Sequence, residues 1–129
     1  MGARILVVED NADLHLGMAL LLKAAGHTVL SAMNGDEAVR MALHEQPDLI
    51  LLDIGLPGRS GHRVAGSLSA EVSTRSIPII YVTARHELKH RLLAGEKGAA
   101  AYLVKPYNSE ELFSTIDAVI NPAEPAAIN

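Results

Sequence analysis

Short, continuous runs of apolar residues recur along the chain and alternate with longer segments of mixed polarity. Continuous apolar runs are typical of strands buried on both faces, as in a parallel sheet covered by helices. They predict five strands, at Ile5–Val8, Thr28–Leu30, Leu49–Leu52, Ile77–Val82 and Ala101–Val104. Successive strands would begin about 20 to 28 residues apart, which fits βα units joined by right-handed crossovers. The pattern therefore predicts an α/β fold with a parallel sheet.

The segments between the runs carry helix signals. Asn34 and Asn108 each stand three residues before a glutamate, which predicts two helix N-caps. Thinner apolar stripes predict further helices after Gly61 and between residues 85 and 98. Two other apolar stripes are clear. The first predicts a helix that ends at Gly26, with Leu14, Met18, Leu21, Leu22 and Ala25 on one face. The second predicts a last helix near the C-terminus, with Leu112, Ile116, Val119 and Ile120 on one face.

Length and composition narrow the class of protein. The chain has 129 residues, of which 49% are hydrophobic, so it suits one domain with a core. Because there is no cysteine, a disulfide framework, thiol catalysis and a cysteine metal site are all excluded. We expect a domain over residues 1–121 and a flexible tail or linker start over residues 122–129, where Pro122 and Pro125 accompany a loss of apolar periodicity.

The net charge, the short apolar runs and the lack of a visible signal peptide predict a cytoplasmic protein. The formal net charge of −4 argues against direct binding to nucleic acid or to anionic membranes. The longest apolar runs are far too short to cross a bilayer. The N-terminus enters a strand-like run directly, with no visible signal peptide.

Chemically useful side chains follow four of the five predicted strands. Glu9 and Asp10 follow the first run, Asp53 the third, Thr83 the fourth and Lys105 the fifth. Each alone could be a helix cap or a solvated side chain. Because sites of open α/β sheets form beyond the carboxyl ends of the strands, their conjunction predicts a functional site.

The charges of these residues suggest phosphoryl transfer. Three close carboxylates repel one another, and a hard cation such as Mg²⁺ would remove that repulsion. Lys105 and Thr83 could then contact the oxygens of a phosphoryl group. Asp53 is the candidate nucleophile, because it ends the middle run and precedes the turn-rich loop 55–58. The expected product is an aspartyl phosphate.

At this point the chain resembles the receiver domains of two-component response regulators. The resemblance covers residues 4 to about 120, nearly the whole chain. Its motifs occur in family order, and they are the segments 6–11, 51–58 with Gly61, 82–85 and 98–99 leading into 102–107.

The resemblance implies a flavodoxin-like (βα)5 fold, a doubly wound five-stranded parallel sheet of order 2-1-3-4-5. It implies that Asp53 accepts a phosphoryl group from a histidine kinase or a histidine phosphotransfer protein. Asp10 and Asp53 would bind Mg²⁺ directly, Glu9 mainly through water, and the Gly55 carbonyl would complete the protein ligands, with Mn²⁺ able to substitute.

The resemblance also implies a switch. Thr83 and Lys105 would hold the phosphoryl group, Thr83 would move toward it, and Tyr102 would turn inward. The face built from the predicted fourth helix, fifth strand and fifth helix would then bind a downstream protein. Such a domain is a binding module that catalyses its own phosphorylation and dephosphorylation, not an enzyme with a separate substrate.

Several positions depart from the family pattern. Glu9 stands where aspartate is common, and Arg59 where methionine is frequent. Gly55 and Arg85 occupy positions that influence phosphoryl lifetime in the family, and residues 100–101 are alanines where acidic residues are often seen. None of these changes removes an acceptor-site residue.

Other interpretations of the sequence stay open. Residues 86–90 match the H-E-x-x-H pattern of zinc proteases, although an exposed polar helix explains them as well. The remaining histidines, His15, His27, His44 and His62, show no paired spacing, and we expect them at the surface or an edge.

Basic residues between positions 85 and 97 form either a solvated face or a docking patch. The whole chain could be a receiver-like binding module that works without phosphorylation, or the receiver segment of a larger hybrid kinase or regulator.

Overall fold

The sheet of the computed structural model has five parallel strands. The structure describes residues 2–55, 61–84 and 99–121. The strands lie side by side in the order β2-β1-β3-β4-β5, and every neighbouring pair is parallel. This confirms the doubly wound order that the family resemblance implied. The strands are β1 (Arg4–Val8), β2 (Thr28–Ala32), β3 (Leu49–Asp53), β4 (Ile79–Ala84) and β5 (Ala101–Lys105).

Helices cover the sheet on both faces. The described helices are α1 (Ala12–Ala24), α2 (Gly35–Glu45), α3 (Gly61–Ala70) and the C-terminal helix (Ser109–Ile120). The predicted N-caps are confirmed: Asn34 accepts from the Glu37 amide, and Asn108 forms a reciprocal capping box with Glu111. Among the described residues, no helix combines the length and the apolar character that crossing a membrane requires.

The strand side chains alternate between two cores, one on each face of the sheet. Ile5, Val7, Leu49 and Leu51 pack with α1 and the C-terminal helix. Their sequence neighbours, such as Leu6 and Ile50, pack with α2 and α3 on the opposite face. Burial on both faces explains why the strands appear as continuous apolar runs. Parallel strands also bring all their carboxyl ends to one edge.

β2 continues two residues beyond its predicted end, to Ala32, and two further details differ from the sequence-based expectation. β4 begins at Ile79, two residues later than predicted, because the Ile77 amide bonds to the Thr74 carbonyl in a turn and Pro78 has no amide hydrogen to donate. In α1, Leu14 is 50% exposed whereas His15 is only 7% exposed. Met18 and Leu22 of the predicted inward stripe are buried, but Leu14 and Ala25 are exposed. His15 and Ala19 are buried as well, so the expectation of a surface His15 was wrong.

Several sequence-based predictions fall outside the described residues. These are the predicted fourth helix and the basic residues between positions 85 and 97, the H-E-x-x-H segment 86–90, most of the loop 55–58 with Arg59, and the tail 122–129.

Candidate functional site

An acidic turn links β1 to α1 at the carboxyl edge of the sheet. The Glu9 amide donates to the Ala32 carbonyl of β2 (3.2 Å), and the Asn11 amide donates to Glu9 Oε2 (3.2 Å). Asn11 also caps α1 by accepting from the Leu14 amide. Glu9 is buried, while Asp10 beside it is exposed. The turn therefore presents one carboxylate inside the site and one at its mouth.

Asp53 is the last residue of β3 and is 9% exposed. Its Oδ1 accepts from the Gly55 amide at 3.0 Å. Its Oδ2 lies 3.4 Å from Nζ of Lys105, and the same Nζ lies 3.5 Å from Oε1 of Glu9. The lysine from β5 thus reaches across β4 to two carboxylates that come from different strands.

The three predicted carboxylates converge. One oxygen each from Glu9, Asp10 and Asp53 lies within 4.8 Å of the others. Burial raises the pKa of Glu9 to about 7, assisted by a hydrogen bond with Asp53 and by its charge, although the Asn11 amide and Lys105 oppose the rise. Lys105 alone therefore does not neutralise the cluster.

This donor set fits a hard divalent cation. Oxygen-only ligands at close range suit Mg²⁺, and the exposed Asp10 leaves an open side for water or a phosphoryl oxygen. Burial and the neighbouring Asp53 both disfavour the ionised form of Glu9, and a bound cation would favour that form. The three predicted carboxylate ligands are thus brought together by the fold.

Thr83 and Tyr102 make contacts that differ from those predicted for the switched state. The buried Thr83 hydroxyl donates to the Ala84 carbonyl at 3.3 Å. The half-buried ring of Tyr102 packs against Tyr81, with centroids 5.7 Å apart. Neither side chain is engaged with the carboxylates through these contacts.

Three further residues border the site. His15 was not predicted there, whereas Tyr107 and Gly61 belong to motifs of the family resemblance. His15 lies under the acidic turn, with Nδ1 3.0 Å from the Glu9 carbonyl oxygen. Tyr107 lies close enough for burial and the Glu9 charge to raise the pKa of its phenol. Gly61 begins α3 directly against the backbone of Asp53 and Ile54. The signal for His15 was its spacing to Met18, Ala19 and Leu22 on one helix face.

Comparisons with known proteins identify the family of the chain. The family model described as "Response regulator receiver domain" matches residues 5–117. The chain is 37% identical to the protein PilH of Pseudomonas aeruginosa over 118 residues, which is 92% of this chain and 98% of PilH. It is 40% identical to the phosphate regulon transcriptional regulatory protein PhoB of Escherichia coli over 128 residues, 99% of this chain but only 56% of PhoB.

Solved structures show the same fold. The receiver domain of the sensor histidine kinase PA1611 from Pseudomonas aeruginosa superposes with a TM-score of 0.84 at 32% identity, covering 93% of this chain and 98% of that one. That domain was crystallised with a magnesium ion coordinated in its active site cleft.

Proposed function

Since the chain belongs to the response regulator receiver domain family, we propose that it accepts a phosphoryl group on Asp53. The donor would be the phosphohistidine of a histidine kinase or of a histidine phosphotransfer protein. One observation carries the proposal: Asp53 Oδ2 lies 3.4 Å from Lys105 Nζ within a cluster of three carboxylates at the carboxyl edge of the sheet. Receiver domains act between such kinases and downstream effectors.

In the proposed reaction, an Asp53 carboxylate oxygen attacks phosphorus and forms a new O–P bond. The bond from phosphorus to the donor breaks, and its electron pair leaves on the histidine nitrogen, which then takes a proton from water. Lys105 lies where its ammonium can pair with an oxygen of the incoming group. The Gly55 amide holds Asp53 Oδ1 and so keeps the carboxylate in one orientation.

The proposed cofactor is Mg²⁺, with Mn²⁺ as a substitute. Asp10 and Asp53 would bind it directly, the buried Glu9 mainly through water, and the Gly55 carbonyl would complete the set. When bound, the ion supplies positive charge that offsets the carboxylates and the phosphoryl oxygens. The magnesium in the PA1611 receiver supports this assignment by similarity.

The proposed output is a change of partner binding. After transfer, the Thr83 hydroxyl would leave the Ala84 carbonyl for a phosphoryl oxygen, and Tyr102 would move inward. The altered surface would lie around β5, the C-terminal helix and residues 85–98, and it would bind a downstream protein. In this scheme the chain catalyses only its own phosphorylation and dephosphorylation.

Intact-mass spectrometry after incubation with acetyl phosphate tests the acceptor directly. We expect one added phosphoryl group in the presence of Mg²⁺ and none after EDTA treatment. Asp53→Asn should abolish the adduct, and Asp10→Asn should reduce it strongly because a metal ligand is lost.

Two results would contradict the proposal. An adduct that persists in Asp53→Asn would place the phosphoryl group elsewhere. No adduct in rapidly quenched wild-type samples would favour a binding module that works without phosphorylation.

A further inference from the structure

His15 is buried directly beneath the acidic turn. It is 7% exposed, and its Nδ1 lies 3.0 Å from the Glu9 carbonyl oxygen. A carbonyl oxygen can only accept, so Nδ1 carries the hydrogen and donates it. The imidazole therefore connects the first turn of α1 to the acidic turn that follows β1.

The other ring nitrogen of His15 has no hydrogen-bond partner among the residues that the structure describes, although it is buried. A buried polar atom without a partner lowers stability. The neighbours of His15 on this helix face, Met18, Ala19 and Leu22, are apolar, and an apolar residue at position 15 would avoid that cost. What His15 adds at this position is the bond from Nδ1.

That bond acts on the peptide group that joins Glu9 to Asp10. The Glu9 carbonyl belongs to this peptide, so holding the carbonyl sets the plane from which both carboxylates project. On the other side of Glu9, its amide is held by the Ala32 carbonyl of β2 at 3.2 Å. The acidic pair is thus fixed from β2 and from α1 together.

We propose that His15 is a positioning residue for the cation site. By holding the Glu9–Asp10 peptide, it keeps the two carboxylates converged with Asp53. The inference rests on the proposed function, because it assigns these carboxylates to Mg²⁺. Partners one step removed from a metal commonly change its affinity about 10- to 100-fold when they are lost.

The test compares magnesium affinity with stability in the same variants. Calorimetric titration of Mg²⁺ into EDTA-treated, dialysed protein gives the affinity, and urea denaturation gives the stability. We expect His15→Leu to bind Mg²⁺ about 10-fold more weakly while remaining at least as stable as the wild type. Phosphorylation by acetyl phosphate should need more Mg²⁺ but reach the wild-type rate at saturation.

A conservative pair isolates the donor itself. The amide nitrogen of asparagine can occupy the place of Nδ1, whereas that of glutamine lies farther out. We therefore expect His15→Asn to bind Mg²⁺ within about twofold of the wild type and His15→Gln to resemble His15→Leu. This pair decides the question even where His15→Leu does not fold. Ala19→Gly, on the same buried face, supplies a control that destabilises α1 without touching the turn.

The outcomes separate the inference from the proposed function. If the wild type binds no Mg²⁺, the proposed cofactor is wrong and the inference falls with it. If the wild type binds Mg²⁺ and His15→Leu or His15→Gln binds it equally well, the positioning role is overturned and the proposed function stands. Equal losses in Ala19→Gly and His15→Gln would mean that His15 acts only through stability.

Discussion

At the scale of single residues, we expect Lys105 to have two opposing effects on the proposed function. Its Nζ lies 3.4 Å from Asp53 and 3.5 Å from Glu9, so it competes with a metal cation for the same carboxylates. A unit charge about 4 Å away is worth about 1 kcal/mol in a water-like dielectric. We expect Lys105→Gln to bind Mg²⁺ about fivefold more tightly at pH 8, as measured by calorimetric titration.

The same variant should be phosphorylated more slowly, because in the proposed reaction the lysine pairs with an oxygen of the incoming phosphoryl group. We expect the initial rate with acetyl phosphate to fall at least about tenfold. Lys105→Arg keeps the charge and should leave the Mg²⁺ affinity near that of the wild type. Weaker Mg²⁺ binding in Lys105→Gln would show that Lys105 supports the cation site instead of competing with it.

Glu9 makes the stability of the metal-free protein depend on pH. Its pKa is raised from 4.5 to about 7 in the fold, mainly by burial. A raised carboxyl pKa means that the folded state binds the proton more tightly than the unfolded state. The associated stabilisation is therefore fully present below pH 4.5 and is lost as the pH rises through about 7.

A comparison with Glu9→Gln isolates the contribution of Glu9 to the pH dependence of stability. Glutamine resembles the protonated glutamic acid and does not titrate. In EDTA, we expect the two melting temperatures to be similar near pH 5 and the wild type to fall below the variant by pH 8. Parallel melting curves at every pH would show that Glu9 does not carry the raised pKa.

At the scale of secondary-structure elements, the start of α3 is packed against the end of β3. A Cβ atom on Gly61 would lie 3.0 Å from the Ile54 Cα and 3.3 Å from the Asp53 carbonyl oxygen, both backbone atoms with little room to move. Gly61→Ala should therefore displace α3 or the acceptor residue. We expect a loss of about 1–3 kcal/mol in the free energy of unfolding and slower phosphorylation.

Gly66 offers a matched control within the same helix, because a Cβ there would meet nothing within 4 Å. Gly66→Ala should stabilise α3 by up to about 1 kcal/mol, as alanine does in a helix interior, and leave phosphorylation unchanged. Urea denaturation and the acetyl phosphate assay measure both effects. Equal behaviour of the two variants would mean that the contact at Gly61 does not constrain Asp53.

The sequence predicted these elements well where one physical signal dominated. Burial on both faces produced the apolar run of β3, and the asparagine caps marked the starts of α2 and the C-terminal helix. It failed where two signals competed. In α1, both Leu14 and His15 could begin the inward stripe. Apolar character alone favoured Leu14, but the structure exposes Leu14 and buries His15. In the fold, His15 is buried together with Met18, Ala19 and Leu22.

At the scale of the whole molecule, strand order decides which residues meet. The carboxyl-edge residues could be predicted from the sequence, because each directly follows an apolar run. Their distances could not, since Asp53 and Lys105 are 52 positions apart and their approach depends on β3, β4 and β5 being neighbours. That order came from the family resemblance, because spacing along the chain does not determine how strands pair.

The proposed signal crosses the molecule from Asp53 to β5 by way of β4. Thr83 at the end of β4 bonds to the Ala84 carbonyl, and two residues earlier Tyr81 packs against Tyr102 of β5. Beryllofluoride with Mg²⁺ stands in for the phosphoryl group. Because Tyr81 is buried and packs against Tyr102, movement of Tyr102 should change the environment of the Tyr81 ring. We therefore expect the Tyr81 ring signals in NMR spectra to change when beryllofluoride is added.

Thr83→Ala removes the hydroxyl that would turn toward the phosphoryl group but leaves the tyrosine pair intact. The amide signal of Gly55, beside Asp53, should still respond to beryllofluoride in this variant, whereas the Tyr81 ring signals should not. Thr83→Ser keeps the hydroxyl and should restore the response of Tyr81. A full Tyr81 response in Thr83→Ala would mean that the conformational change reaches β5 without Thr83. A Gly55 amide resonance that does not respond even in the wild type would instead count against Asp53 as the acceptor.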